Sequence, residues 1–207
     1  MIDLYTWSTP NGRKISIALE EFQLPFRVIE IDINNGDQHT PEFIALSPNQ
    51  KIPAIVDHDS GVQMAESGAI LMYLADKTGK FLDRDRYYET LQWLMWQMAH
   101  LGPILGQGHH FLKYNSGVSE YAEQRFHKEA NRLYGVLNNQ LADHEYIVSE
   151  YSIVDMACWP WVSRFEWHQV NLHEYPNVKR WFLEIAKRPA VIAGYDVPKR
   201  DLEIPMP

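Results

Sequence analysis

Three short stretches carry side chains whose types and neighbours could do chemistry. The first is Ser8-Thr9-Pro10-Asn11-Gly12. Its hydroxyl and amide groups are uncharged donors, suited to a thiolate or an oxyanion. A helix starting here would add its own unpaired N–H groups. The plainer alternative is that Thr9 or Asn11 only caps that helix. The second is Gln50-Lys51-Ile52-Pro53-Ala54. A proline opening a strand removes a ladder donor. A cis Ile52–Pro53 bond would turn the backbone of Ile52 toward an extended ligand chain, and Lys51 could hold a carboxylate. The alternative is an ordinary trans turn with a solvated lysine. The third is Glu66-Ser67-Gly68-Ala69-Ile70. Ser67, as an N-cap, and the amides after it could bind a carboxylate, while Glu66 could pair an ammonium. Adjacent receptors of that kind suit the α-amino-acid end of a peptide. The alternative is a simple cap beside an exposed glutamate.

Other chemistry is weaker. Gly106-Gln107-Gly108 has Phe111 where a third glycine would complete a dinucleotide fingerprint, so that fingerprint fails. His109-His110 has no evident partners for a metal, and no metal site is expected. The single cysteine, Cys158, excludes a C-x-x-C pair, an intrachain disulfide and a multi-cysteine zinc site. It lies in an apolar stretch and reads as packed rather than reactive.

The elements that must position these stretches are set by periodicity. Ile2–Tyr5 reads as a strand, and Ile15, Ala18, Leu19 and Phe22 recur at helical spacing. Residues 26–31 (FRVIEI) read as a second strand. That is a βαβ unit, with parallel strands and a right-handed crossover. Residues 54–57 and 62–64 flank a turn-rich DHDSG and predict an antiparallel hairpin. The next element is a helix from Ser67 to near Gly79. The texture changes near 78–86, and the chain beyond it is helical. Leu91, Leu94, Met95, Met98 and Leu101 share a face, as do Phe126, Ala130, Leu133, Leu137 and Leu141. Ser152-Ile-Val-Asp155 is a capping-box variant ahead of a buried helix, MACWPWV, with Pro160 inside it. Pro176 opens a last helix that Pro189 ends, and 195–207 is irregular. The fold class is α/β followed by all-α, with domains at 1–80 and 87–207.

The 207 residues are 45% hydrophobic and 22% charged, which fits a globular chain and excludes a disordered one. With a net charge of −8, the overall field repels phosphates, so neither nucleic acid nor an anionic membrane surface is an expected partner. The N-terminus lacks a signal-peptide pattern, and no apolar run approaches the ~20 residues of a membrane span. A cytoplasmic protein is expected.

In order along the chain, LYTWSTPNG, NQKIPAIVD, ESGAILMYLA and YSIVDMACWPWV resemble a cytosolic glutathione transferase, and together they resemble the bacterial Nu-class, disulfide-bond oxidoreductase type. The resemblance implies a thioredoxin-like N-terminal domain, an all-helical C-terminal domain, a homodimer, and glutathione, reduced or oxidised, as co-substrate. It implies that Thr9 and Asn11 face the sulfur, with Ser8 and Tyr5 as rivals for that role. Glu66 and Ser67 would hold the γ-glutamyl end, Ile52 would pair its backbone with the cysteinyl unit, and Lys51 and Gln38 would address the glycyl end. Arg132 would reach glutathione from the neighbouring subunit. No cysteine stands in 1–80, which excludes the cysteine-using classes. The implied activity is reduction of small disulfides by the glutathione thiolate, with two glutathione units or oxidised glutathione per site. Conjugation to electrophiles and hydroperoxide reduction are the enzymatic alternatives. A non-catalytic glutathione-binding regulator is the alternative of another class.

Overall fold

A computed structural model describes all 207 residues. Its elements run β1 (Ile2–Thr6), α1 (Pro10–Glu21), β2 (Phe26–Glu30), α2 (Pro41–Leu46), β3 (Ala54–Asp57), β4 (Val62–Ala65), α3 (Ser67–Thr78), α4 (Tyr87–Trp96), α5 (Gly102–Gly108), α6 (Glu120–Gln140), α7 (Ile153–Val162), α8 (Pro176–Ala186) and α9 (Pro189–Tyr195). Two compact units emerge. One is Met1–Leu82 with Lys187–Ile204, and the other is Asp83–Ala186 with Pro205–Pro207. This division departs from a cut along the chain into 1–80 and 87–207, because α9 and most of the tail fold onto the first unit.

The first unit is built on a four-stranded sheet of order β2-β1-β3-β4. β1 and β2 are parallel, as a βαβ unit requires, and β1–β3 and β3–β4 are antiparallel. Apolar α1 residues Ile15, Ile17, Ala18 and Leu19 are buried. Phe43 of the short helix α2, which sequence periodicity does not reveal, packs with Ile31, Ala54, Tyr5 and Ile52. The hairpin is tied to α3 through Asp57, whose Oδ2 accepts from Tyr73 Oη at 2.5 Å and from Lys77 Nζ at 2.8 Å. These donors hold its carboxyl well below the usual range, against the cost of burial.

Helix α9 closes this unit. A Cβ on Gly194 would lie 2.5 Å from Ile17 Cα, so only glycine lets α9 approach α1 this closely. Ser16 Oγ donates to the Gly194 carbonyl (2.6 Å). Buried Arg13 donates Nε to the Tyr195 carbonyl (2.8 Å) with its guanidinium over the Tyr195 ring. Pro189 therefore opens a further helix instead of merely ending α8.

In the second unit the helical backbone runs unbroken from Tyr87 to Tyr114, with wider π turns at Gln97–Leu101 and His109–Tyr114. Leu94 and Leu101 are buried as their spacing predicts, but Met95 of that stripe is exposed. On α6, Ala130, Leu133 and Leu137 are buried. Helix α7 is buried at every position and contains Pro160. Its capping box forms as the sequence predicts. Asp155 accepts from the Ser152 amide (2.9 Å), Ser152 Oγ (3.2 Å), the Ile147 amide (3.1 Å) and Trp181 Nε1 (2.8 Å). His109 and His168 meet at 2.9 Å between their Nε2 atoms, and His168 Nδ1 lies 2.9 Å from Tyr134 Oη. The two histidines partner each other and a phenol, and burial pushes His109 down to about 4. No helix is long and apolar enough to cross a membrane.

Candidate functional site

The sheet register gathers the three sequence stretches. Tyr5 pairs with Ala54, and Ala54 with Ala65. Thr6, one residue on, pairs with Glu30. The segments that leave the ends of β1, β2 and β4 and enter β3 therefore share one end of the sheet. These are Trp7–Thr9, the turn holding Gln38, Lys51–Pro53 and Glu66–Ser67.

Thr9 caps α1. Its Oγ1 accepts from the Gly12 amide at 3.2 Å, and its hydroxyl proton can still donate. Pro10 takes the first helical position, where no amide is needed. Gly12 is obligatory for packing, since a Cβ there would overlap the Trp7 carbonyl oxygen and Thr6 Oγ1. The Thr9 amide donates to the same Trp7 carbonyl at 2.7 Å. No acidic side chain occupies the first turn of α1, so its partial positive charge is left for a ligand. Asn11 is half-buried in that turn, as is Ser8 in the loop before it. Tyr5 goes elsewhere. Successive strand residues face opposite sides, and its ring packs against Phe43 of α2 with centroids 6.3 Å apart, whereas Thr6 abuts α1.

The Ile52–Pro53 peptide is cis, and Ile52 is partly buried against the α2 cluster. Ser47 Oγ donates to the Lys51 carbonyl (2.8 Å) and accepts from its amide (3.4 Å), pinning the backbone while the Lys51 side chain is exposed. Gln38 Nε2 donates to the Ile33 carbonyl at 3.4 Å, and its buried Oε1 has no partner. His39 Nδ1 lies 2.7 Å from Gln50 Oε1, linking the Gln38 turn to the Lys51 loop.

Glu66 is exposed at φ +68°, in the left-handed region. It occupies the cap position of α3, and Ser67 is one residue inside the helix, not the cap that sequence suggests. Ser67 is buried and accepts from Lys14 Nζ at 3.3 Å. Lys14, only 2% exposed, is the site residue that sequence reasoning missed. Its signal is present, since it precedes buried Ile17 and Ala18 by three and four residues and so shares their face. Ser67 thus has a cation behind it, an arrangement that favours a carboxylate. Arg132 lies on α6 of the helical unit and pairs with Glu129 at 3.0 Å.

A helix start lined with neutral donors and a second one with a buried lysine behind its serine have the chemistry to suit a small peptide carrying a sulfur and a carboxylate. The chain belongs to the glutathione S-transferase family. The family's N-terminal domain matches residues 1–76 and its C-terminal domain residues 103–189. Its fold is that of the family, a thioredoxin-like unit joined to a helical one. Disulfide-bond oxidoreductase YfcG of Escherichia coli K12 is 50% identical over 198 residues, covering 92% of each chain. A glutathione transferase of Burkholderia graminis, with two glutathione molecules bound per subunit, is 41% identical with a TM-score of 0.90, covering 96% of this chain and 89% of that one. One from Pseudomonas putida, with one glutathione disulfide bound per subunit, is 40% identical with a TM-score of 0.90, covering 95% and 91%.

Proposed function

We propose that this protein is a glutathione-dependent disulfide reductase in which the thiolate of bound glutathione, and no protein cysteine, attacks a small disulfide. The observation that carries this reading is the start of α1, where uncharged donors surround an unneutralised helix end in a unit without cysteine. The one cysteine, Cys158, is fully buried in α7 of the other unit. The 50% identity to a disulfide-bond oxidoreductase supports the same chemistry. Thr9 and Asn11 address the sulfur. Glu66 and Ser67 hold the γ-glutamyl end, Ile52 pairs with the cysteinyl backbone, and Lys51 and Gln38 meet the glycyl carboxylate. The working protein is a cytoplasmic homodimer in which Arg132 reaches the neighbouring subunit's glutathione.

A glutathione thiol resembles a cysteine thiol, with a pKa near ~8.5. Lowering it by about two units takes roughly 2.7 kcal/mol of preferential thiolate stabilisation. One hydrogen bond to a charged group contributes about 1.5–3 kcal/mol, and a helix N-terminus adds about 0.3–1. Two neutral donors on α1 therefore suffice. The first thiolate attacks the substrate disulfide, forming a glutathionyl mixed disulfide and expelling one substrate thiolate. The second attacks the glutathione sulfur of that mixed disulfide, forming oxidised glutathione and expelling the other. Two electrons pass from two glutathiones to the substrate, and the two thiol protons end on the released thiolates.

Side-by-side assays with glutathione and 2-hydroxyethyl disulfide, an aryl halide or cumene hydroperoxide test this. Disulfide reduction is expected to be fastest, and Cys158→Ala to retain it. Loss of all disulfide reduction in a Cys158→Ala protein with native circular dichroism would overturn the mechanism. Glutathione binding without turnover on any of the three would favour a regulator.

A further inference from the structure

The tail after α9 returns to the loop that carries Thr9. The Asp196 carboxylate accepts from the backbone amides of Arg200 and Leu202, both at 2.9 Å. Those amides hold the Asp196 carboxyl below its usual range, so at neutral pH it is a charged clasp on the turn 196–202. The turn presents Arg200 in two contacts. Its guanidinium lies over the Trp7 ring, 5.0 Å from the centroid. Its Nη2 pairs with Glu30 Oε2, and its Nη1 lies 3.4 Å from Glu30 Oε1. Glu30 is the register partner of Thr6, the residue before Trp7. Arg200 thus bridges the end of β2 and the first residue of the loop after β1. That loop is coupled to the start of α1. The Trp7 carbonyl accepts from the Thr9 amide at 2.7 Å, and Gly12 packs against the same carbonyl.

We propose that Arg200 is a positioning residue for the reaction, a strap from the chain's tail that fixes Trp7 and through it the direction of the Thr9 hydroxyl. This rests on the reading that Thr9 faces the glutathione sulfur. A planar, permanently charged guanidinium suits both tasks, stacking on an indole while pairing with a carboxylate. Its side chain is 38% exposed, so it contributes little to global stability and can be removed without loss of the fold. Its influence is geometric. A loop able to swing away from the sulfur stabilises the thiolate less, and the effect should fall on kcat and on the thiol's titration more than on glutathione affinity.

The test is a set of three variants, Arg200→Ala, Arg200→Lys and Thr9→Val, each read by kcat, KM for glutathione and the pH titration of bound thiolate absorbance near 240 nm. Arg200→Ala is expected to lower kcat about three- to tenfold, the size of an exposed cation–π contact and ion pair together. It should shift the thiol titration upward by about half to one unit, with KM within about twofold. Arg200→Lys, which keeps the charge near Glu30 without the planar stack, should recover part of both. Thr9→Val should shift the titration further. An Arg200→Ala protein with unchanged titration and kcat overturns the proposal but leaves the Thr9 reading intact if Thr9→Val still shifts. An unshifted Thr9→Val overturns the Thr9 reading and the proposal with it.

Discussion

Helices α1 and α7 begin alike and end their first turns differently. Each starts at a hydroxyl residue that accepts from a first-turn amide, Thr9 from Gly12 and Ser152 from Val154. At the third helical position α1 has Gly12 and α7 has Asp155. Asp155 fills its helix end, reaching back to Ser152 and gathering the Ile147 amide and the Trp181 indole, all in the core. Gly12 brings no carboxylate, and its missing side chain lets the Trp7 loop lie against the turn. Helix α3 stands between the two, with no acid in its first turn and Lys14 behind Ser67. A helix start completed by its own chain is architecture. One left short of negative charge, at the end of a sheet, can receive a ligand's.

The contrast can be broken hardest at α7. Asp155→Ala leaves four buried donors without an acceptor and should lower stability in urea unfolding by at least ~3 kcal/mol, with kcat per folded molecule unchanged. Its titration sharpens the point. Burial pushes the Asp155 carboxyl up to about 6, against its hydrogen bonds, from 3.8 in the unfolded chain. A raised folded pKa means a contribution that is full below about 3.8 and lost as pH rises through 6. Asparagine cannot ionise, so the cost of Asp155→Asn should be greatest near pH 4 and shrink by up to ~3 kcal/mol by pH 7. A pH-independent difference would mean that this carboxyl titrates as it does in water. At α1 the expected damage is catalytic. Gly12→Ala forces the Trp7 carbonyl away and should cost about 100-fold in kcat, because a displacement near 1 Å has that effect. A fully active Gly12→Ala enzyme would sink the role given to this turn. The smallest effect is expected at α3, where Lys14→Met should raise KM for glutathione about tenfold through loss of the charge behind Ser67, with kcat within about twofold. Equal losses in both would place Lys14 at the sulfur instead.

What can be read from sequence is local. Ser152 and Asp155 are three residues apart, so one box fixes both geometry and chemistry, and it forms as read. The strand, helix and hairpin order of residues 2–78 likewise gives the observed sheet. Pairings across long stretches of chain are not legible. Lys14 meets Ser67 across 53 residues and His109 meets His168 across 59. Arg13 meets Tyr195 across 182, and nothing in the sequence near either residue points to the other. Spacing within a segment says which face is buried but not which distant segment covers it. The cap of α3 falls one residue earlier than its sequence suggests because Glu66, not Ser67, takes the left-handed turn. Helix α2, six residues long, is too short to show a period. Met95 fits the apolar spacing yet is exposed, since spacing marks a face without fixing how far the core extends along it.

The docking of α9 on α1 has a consequence for biosynthesis. The first unit needs Lys187–Ile204 to be complete, and a ribosome delivers those residues only after Asp83–Ala186 of the helical unit has been translated. A nascent chain stalled before residue 187 would hold Ile17 and the buried cation Arg13 without their cover, so this unit starts first and finishes last, the reverse of simple N-to-C folding.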